Sequence, residues 1–139
     1  MSEERVVLVV DDDLDLRLTL ADALTISGFQ VVGASNGREA LELLCERHLR
    51  PDVILLDMMM PEMDGWAFRD EQRKRGGDLS AIPVVVFSAY TFEDSAMQEL
   101  GAAGYVRKPA SLTDLVAAVR KAASGGKPDA TPDGGGRDR

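Results

Sequence analysis

Two kinds of hydrophobic spacing alternate along the chain. Arg5 to Val10 is a β-branched apolar run, short enough for a strand buried on both faces. Behind it Leu16, Leu20, Ala23 and Leu24 recur at helical spacing, and Gly28 ends that helix. Phe29 to Ala34 predicts a second strand. Asn36 can cap a second helix with Glu39 at its third position, and Ala40, Leu41 and Leu44 form the apolar face. Asp52 to Leu56 predicts a third strand. Pro61-Glu62-Met63-Asp64-Gly65 is turn-rich, and a third helix is predicted from about Trp66 to Arg75. Its apolar face is thin, because Arg69 and Gln72 stand where aliphatic side chains would pack, so weak packing is expected. Ile82 to Phe87 predicts a fourth strand and Gly104 to Arg107 a short fifth. Thr91 with Asp94, and Ser111 with Asp114, match capping boxes. The helices they open carry Ala96, Met97 and Leu100, then Leu112, Leu115, Val116 and Val119.

Five strands with interposed helices imply an α/β fold: a parallel sheet with right-handed crossovers. In such sheets function sits at the carboxyl ends of the strands. There is no internal repeat. From Ser124 onward Gly, Pro, Asp and Arg dominate without periodicity, so residues 124–139 are expected to form a disordered tail.

Composition narrows the function. The 139 residues suffice for one domain with a real core. A net charge of −8 repels phosphate backbones, so no direct nucleic-acid contact is expected. Cys45 is the only cysteine, which excludes an internal disulfide and a thiolate zinc cluster and fits a reducing cytoplasm. No apolar run reaches the length of a membrane span. The start of the chain has neither a basic region nor a small-residue cleavage site, so no signal peptide is expected.

The placement of polar residues sharpens this picture. The first strand ends in Asp11-Asp12-Asp13, the third in Asp57, the fourth in Ser88, and the fifth in Lys108 followed by Pro109. Singly, each has a plain explanation: a solvated loop acid, a turn serine, a surface lysine. Jointly, four strands deliver acids, a hydroxyl and an ammonium to one sheet edge, a set that core packing does not require. Clustered carboxylates repel unless a cation neutralises them, and all-oxygen ligation suits Mg²⁺. A lysine and a hydroxyl opposite the metal suit a phosphoryl group, and Asp is a known covalent acceptor of phosphate. Asp11, Asp13 and Asp15 echo a calcium loop, but Leu16 stands where that loop needs glycine and a strand precedes it. His48 reads as an exposed loop residue, Cys45 as a small hydrophobe, and Met58-Met59-Met60 as loop packing.

In order, these residues resemble the receiver domain of two-component response regulators, of the stand-alone chemotaxis-receiver kind. The matching stretches are Val9-Val10-Asp11-Asp12, Leu56-Asp57-Met58-Met59-Met60-Pro61-Glu62-Met63-Asp64-Gly65, Phe87-Ser88-Ala89 and Gly104-Tyr105-Val106-Arg107-Lys108-Pro109. The resemblance covers residues 4–123. It implies a flavodoxin-like, doubly wound five-stranded parallel sheet in the order 2-1-3-4-5 with helices on both faces. It implies Asp57 as phosphoacceptor, Asp12 as direct Mg²⁺ ligand, Asp11 as a water-mediated one, and the Met59 carbonyl as a further ligand. Lys108 would hold a phosphoryl oxygen across a cis Lys108–Pro109 bond. Ser88 would swing to the phosphoryl group and Tyr105 would move inward behind it. The chain would be a phosphorylation-dependent switch, not an enzyme in the ordinary sense, catalysing its own phosphoryl transfer and dephosphorylation. The implied donor is a phosphohistidine on a histidine kinase or histidine phosphotransfer protein. Phosphorylation would change binding of a downstream protein target at the face of the helix opened by Thr91, the fifth strand and the last helix. A monomer or weak dimer is expected.

Three positions depart from the commonest pattern of the family: Asp13 for Glu, Ser88 for Thr, and Ala110 for Phe, the last expected to loosen the start of the final helix. In receivers the attacking water is influenced by side chains two positions after the phosphoacceptor and two after the hydroxyl residue. Here these are Met59 and Tyr90, neither of which activates water, so a long-lived aspartyl phosphate is expected. The rivals are a haloacid-dehalogenase-like hydrolase, with Asp11 as nucleophile and Asp13 as acid, and a scaffold without chemistry. The hydrolase would need a longer chain, a cap and further acids. No effector segment is recognised after the receiver, so the chain either acts by binding partners or is a piece of a larger regulator.

Overall fold

The computed structural model describes residues 5–89 and 92–125. Its strands are β1 (Arg5–Val10), β2 (Phe29–Ala34), β3 (Val53–Leu56), β4 (Val84–Ser88) and β5 (Gly104–Arg107). Its helices are α1 (Leu14–Ile26), α2 (Gly37–Cys45), α3 (Gly65–Arg75), α4 (Gly77–Ala81), α5 (Asp94–Leu100) and α6 (Leu112–Gly125). All strand pairs are parallel, in the order β2-β1-β3-β4-β5, as the resemblance implied.

The apolar runs of β1, β3 and β4 are continuous because these strands lie inside the sheet and are covered on both faces. Alternate residues point to opposite faces. Leu8, Val10, Ile54, Leu56, Val84 and Val86 pack with Leu41, Leu44, Phe68 and Leu100 in one core. Val7, Val9, Val53, Leu55, Val85 and Phe87 pack with Leu20, Leu24, Leu115 and Val119 in the other. The edge strands β2 and β5 are only partly buried.

Local chemistry sets the helix starts. Asn36 accepts the Glu39 backbone N–H at 2.9 Å, as its spacing predicts. The Glu39 carboxylate reaches back one residue further than a capping box requires, to the N–H and hydroxyl of Ser35 at 2.6 and 2.9 Å. Ser111 accepts the Asp114 N–H at 3.0 Å and Ala110 packs against the second core, so the start of α6 is capped rather than loosened. Asp13 and Asp64 cap α1 and α3 by the same device.

The bounds of the elements depart from the sequence reading in four places. The helix predicted to open at Thr91 begins at Asp94 with Glu93 as its N-cap; Thr91 lies outside the described residues. A short helix, α4, fills the link into β4, which starts at Val84 rather than Ile82. Asp52 turns out of β3 and its carboxylate accepts the Val6 N–H at 2.8 Å. Ser124, placed in the tail by composition, belongs to α6 and its hydroxyl accepts a hydrogen bond from Arg5 at 2.8 Å. Residues 126–139 of that expected tail lie outside the described residues.

Candidate functional site

Strand register assembles the site. Val10 pairs with Leu56, so the next residues, Asp11 and Asp57, emerge side by side at the carboxyl edge. Leu56 pairs with Val86, which brings the end of β4 to the same edge, and Ser88 pairs with Arg107. Lys108 follows, its N–H donating to the Ser88 carbonyl at 2.8 Å, and the Lys108–Pro109 bond is cis.

Asp11 and Asp57 are buried, Asp12 is exposed, and one carboxylate oxygen from each lies within 4.8 Å of the others. The Lys108 ammonium donates to Asp11 Oδ2 at 2.9 Å and stands 3.8 Å from Asp57 Oδ2. It also lies 5.1 Å from the centre of the Phe87 ring. The other Asp11 oxygen accepts the Asp13 N–H at 2.9 Å. Asp57 Oδ1 accepts the Met59 N–H at 3.2 Å. Burial raises the Asp57 pKa above the ordinary carboxylate value, and the charges of Asp11 and Asp12 add to that rise. The Met59 N–H and the Lys108 ammonium oppose it.

Ser88 is fully buried at the end of β4; Tyr105 on the edge strand is partly exposed. Met59 lies half-exposed beside the carboxylates. The loop behind it is clamped: Gly65 N–H donates to the Met58 carbonyl at 3.1 Å, and Gly37 N–H to the Met63 carbonyl at 3.2 Å. A Cβ on Gly65 would sit 2.7 Å from the Met58 Cα, so only glycine fits there.

Asp11, Asp12, Asp57, Met59, Ser88 and Lys108 therefore come to one edge, while Tyr105 stands two residues before Arg107 on β5, opposite Val86. Two contributors were missed. Arg17 Nη1 donates to the Asp11 carbonyl at 2.6 Å and fixes the turn that carries the acids. Asp13, assigned no structural role from sequence, caps α1 through the Leu16 N–H at 3.2 Å. The Asp13 cap was legible as an acid ahead of a helical pattern; the Arg17 contact left no signal in spacing.

The chain's residues 7–120 match the Response regulator receiver domain. It belongs to that family. As a receiver domain it acts in phosphorylation-dependent two-component signalling. The domain is 39% identical over 118 residues to the regulatory protein AtoC of Escherichia coli, covering 84% of this chain and 24% of AtoC. It is 38% identical over 129 residues to the response regulator MprA of a Mycobacterium species, covering 91% of this chain and 54% of MprA. The chain thus spans at most about half the length of these relatives. Among solved structures, the chemotaxis protein CheY4 of Vibrio cholerae superposes with a TM-score of 0.78 at 28% identity, covering 86% of this chain and 99% of that one. The receiver domain of a Syntrophus aciditrophicus signal transduction histidine kinase gives 0.78 at 32% identity, covering 92% and 96%. Receiver domains bind Mg²⁺ through acidic residues, and the Asp11, Asp12 and Asp57 cluster can hold a metal. Among the described residues no helix is long and apolar enough to cross a membrane.

Proposed function

We propose that Asp57 is the phosphoacceptor of this receiver and that residues 4–123 form the switch. The observation that carries the reading is the Lys108 ammonium set between the Asp11 and Asp57 carboxylates at the mouth of a three-acid cluster. Asp12, Asp57 and the Met59 carbonyl would ligate Mg²⁺ directly. Asp11 would act through water, as the resemblance to the family implies. Bound there, Mg²⁺ would neutralise the carboxylates and the incoming phosphoryl oxygens.

The reaction is in-line transfer. An Asp57 carboxylate oxygen attacks phosphorus, the phosphorus–nitrogen bond to the donor histidine breaks, and the imidazole leaves with the bonding pair. Lys108 moves its charge from Asp11 to a phosphoryl oxygen, and the Ser88 hydroxyl donates to another. Tyr105 follows Ser88 inward, altering the face of α5, β5 and α6, where a downstream protein target binds. The donor is a histidine kinase or histidine phosphotransfer protein, and the domain catalyses its own phosphorylation and dephosphorylation. It acts in the cytoplasm as a monomer or weak dimer, with no nucleic-acid or membrane contact of its own.

Intact mass after incubation with acetyl phosphate and Mg²⁺ tests this. The wild type should gain one phosphoryl group and Asp57→Asn none. A gain that survives Asp57→Asn but is lost in Asp11→Asn would instead favour the hydrolase-like use of the first strand's acids.

A further inference from the structure

The two ends of α5 are held very differently. At its C-terminal end, carbonyls that lack intrahelical partners receive guanidinium groups from α3. Arg73 donates to the Glu99 and Leu100 carbonyls, both at 2.6 Å. Arg69 donates to the Leu100 carbonyl at 2.8 Å and the Gly101 carbonyl at 2.9 Å. Arg69 is itself locked by Gln72 Oε1 at 2.9 Å, and the Gln72 amide donates to the Leu79 and Ile82 carbonyls at 2.7 and 3.1 Å. Arg69 and Gln72 are both buried, and neither Arg69 nor Arg73 is in an ion pair among the described residues. Leu100 is the one fully buried residue of α5. Gly101 ends the helix at φ +67, where a Cβ would collide with the Arg73 guanidinium.

Among the described residues, the N-terminal end is held by apolar packing of Phe92 and Met97 against the first core rather than by side-chain hydrogen bonds. Glu93 makes no side-chain capping bond, and Glu93, Asp94 and Ser95 are exposed. Its described aromatic contact is Phe92 edge-on to Trp66, with ring centres 5.4 Å apart.

We propose that Arg69 and Arg73 are positioning residues that pin the C-terminal end of α5, so that phosphorylation displaces its N-terminal end and the helix pivots about Leu100 and Gly101. The proposal rests on the reading of Asp57 and Ser88 above. Moving the C-terminal end would break charge-assisted hydrogen bonds and leave the buried Arg69 charge with the Gln72 amide oxygen as its one remaining described acceptor, a costly loss. Among the described residues, moving the N-terminal end breaks no side-chain cap; it slides the Phe92–Trp66 ring contact and the packing of Phe92 and Met97 against the first core, contacts that are not directional. In the chain Ser88 precedes α5 and so connects to that end, which a motion at Ser88 reaches first.

Amide spectra of the full chain with Mg²⁺, with and without beryllofluoride as the phosphoryl stand-in, test the pivot. Shift changes at Phe92 to Ser95 should exceed those at Glu99 to Gly101 by about threefold or more, as expected when one end of a two-state element is fixed. In Arg73→Met the difference should close, and Arg73→Lys, which keeps the charge but not the fork, should restore only part of it. In the unligated protein, Arg73→Met should speed amide exchange at Leu100 and Gly101 by about tenfold while leaving α1 unchanged. Equal shifts at both ends of wild-type α5, or unaltered exchange in Arg73→Met, overturn the pivot. Absence of any beryllofluoride shift at Met58 and Met59 would instead overturn the phosphoacceptor reading, and the exchange experiment would still decide whether the arginines pin the helix.

Discussion

Asp57 is a buried carboxylate beside two others, and the protein carries the cost of that arrangement until a cation arrives. Its folded-state pKa is raised, chiefly by burial and then by Asp11 and Asp12, so the native state holds the proton more tightly than the unfolded chain does. Stability in a metal chelator therefore falls as pH rises from the unfolded carboxylate value through the raised folded one. Asp57→Asn should stabilise the metal-free protein at neutral pH, because it removes a buried charge that Asp11 and Asp12 repel. That advantage should shrink as pH falls through the same window and vanish below it, as melting curves at several pH values would read. Met59 lies half-exposed beside the same carboxylates. A thioether cannot orient water, whereas an amide can. Met59→Asn should shorten the lifetime of the aspartyl phosphate several-fold, measured by decay of phosphorylated protein after donor removal. Tyr90, the other residue assigned to the water's path, lies outside the described residues.

At the scale of elements, α3 is where pattern reading was least adequate. Its position is legible from Asp64, which caps it through the Ala67 N–H, and from Gly76 at its end. Judged by aliphatic spacing, its packing looked weak. The structure corrects this: Phe68 supplies the apolar contact, and Arg69 and Gln72 are buried with their hydrogen bonds met by residues 7 to 32 positions away. Helical periodicity cannot reveal such partners, because they lie on α4, on the entry to β4 and at the end of α5. Gln72→Ala would strip a partner from Arg69 and leave the Leu79 and Ile82 carbonyls without it. It should destabilise the protein by about 2–4 kcal/mol, more than an exposed glutamine would, because buried groups lose hydrogen bonds that water cannot replace. Chemical denaturation reads the difference.

For the whole molecule, the two cores flank one sheet, and the acid cluster sits at its carboxyl edge with Asp12 exposed and Asp11 and Asp57 buried. Metal binding and global stability are therefore linked: saturating Mg²⁺ at a hundred times its dissociation constant should add about 2.7 kcal/mol. Asp12→Ala should abolish most of that gain in thermal melts, and a gain that survived would remove Asp12 from the metal site. The chain's local chemistry by itself determined the alternation of strands and helices, the caps at Asn36 and Ser111, and which residue types arrive at the strand ends, because period, capping and turn preferences act over a few neighbours. The strand order was legible only through likeness to the family. Tertiary structure alone decided that Val10 stands beside Leu56 and Ser88 beside Arg107, which turns separate strand ends into one site. It also decided that Arg69 and Arg73 donate to carbonyls at the end of α5, and that Gln72 is buried between Arg69 and the link into β4 rather than spoiling a core. Both outcomes depend on partners far apart in the chain, brought together by burial of the sheet on two faces, and no local pattern encodes which distant carbonyl a guanidinium will meet.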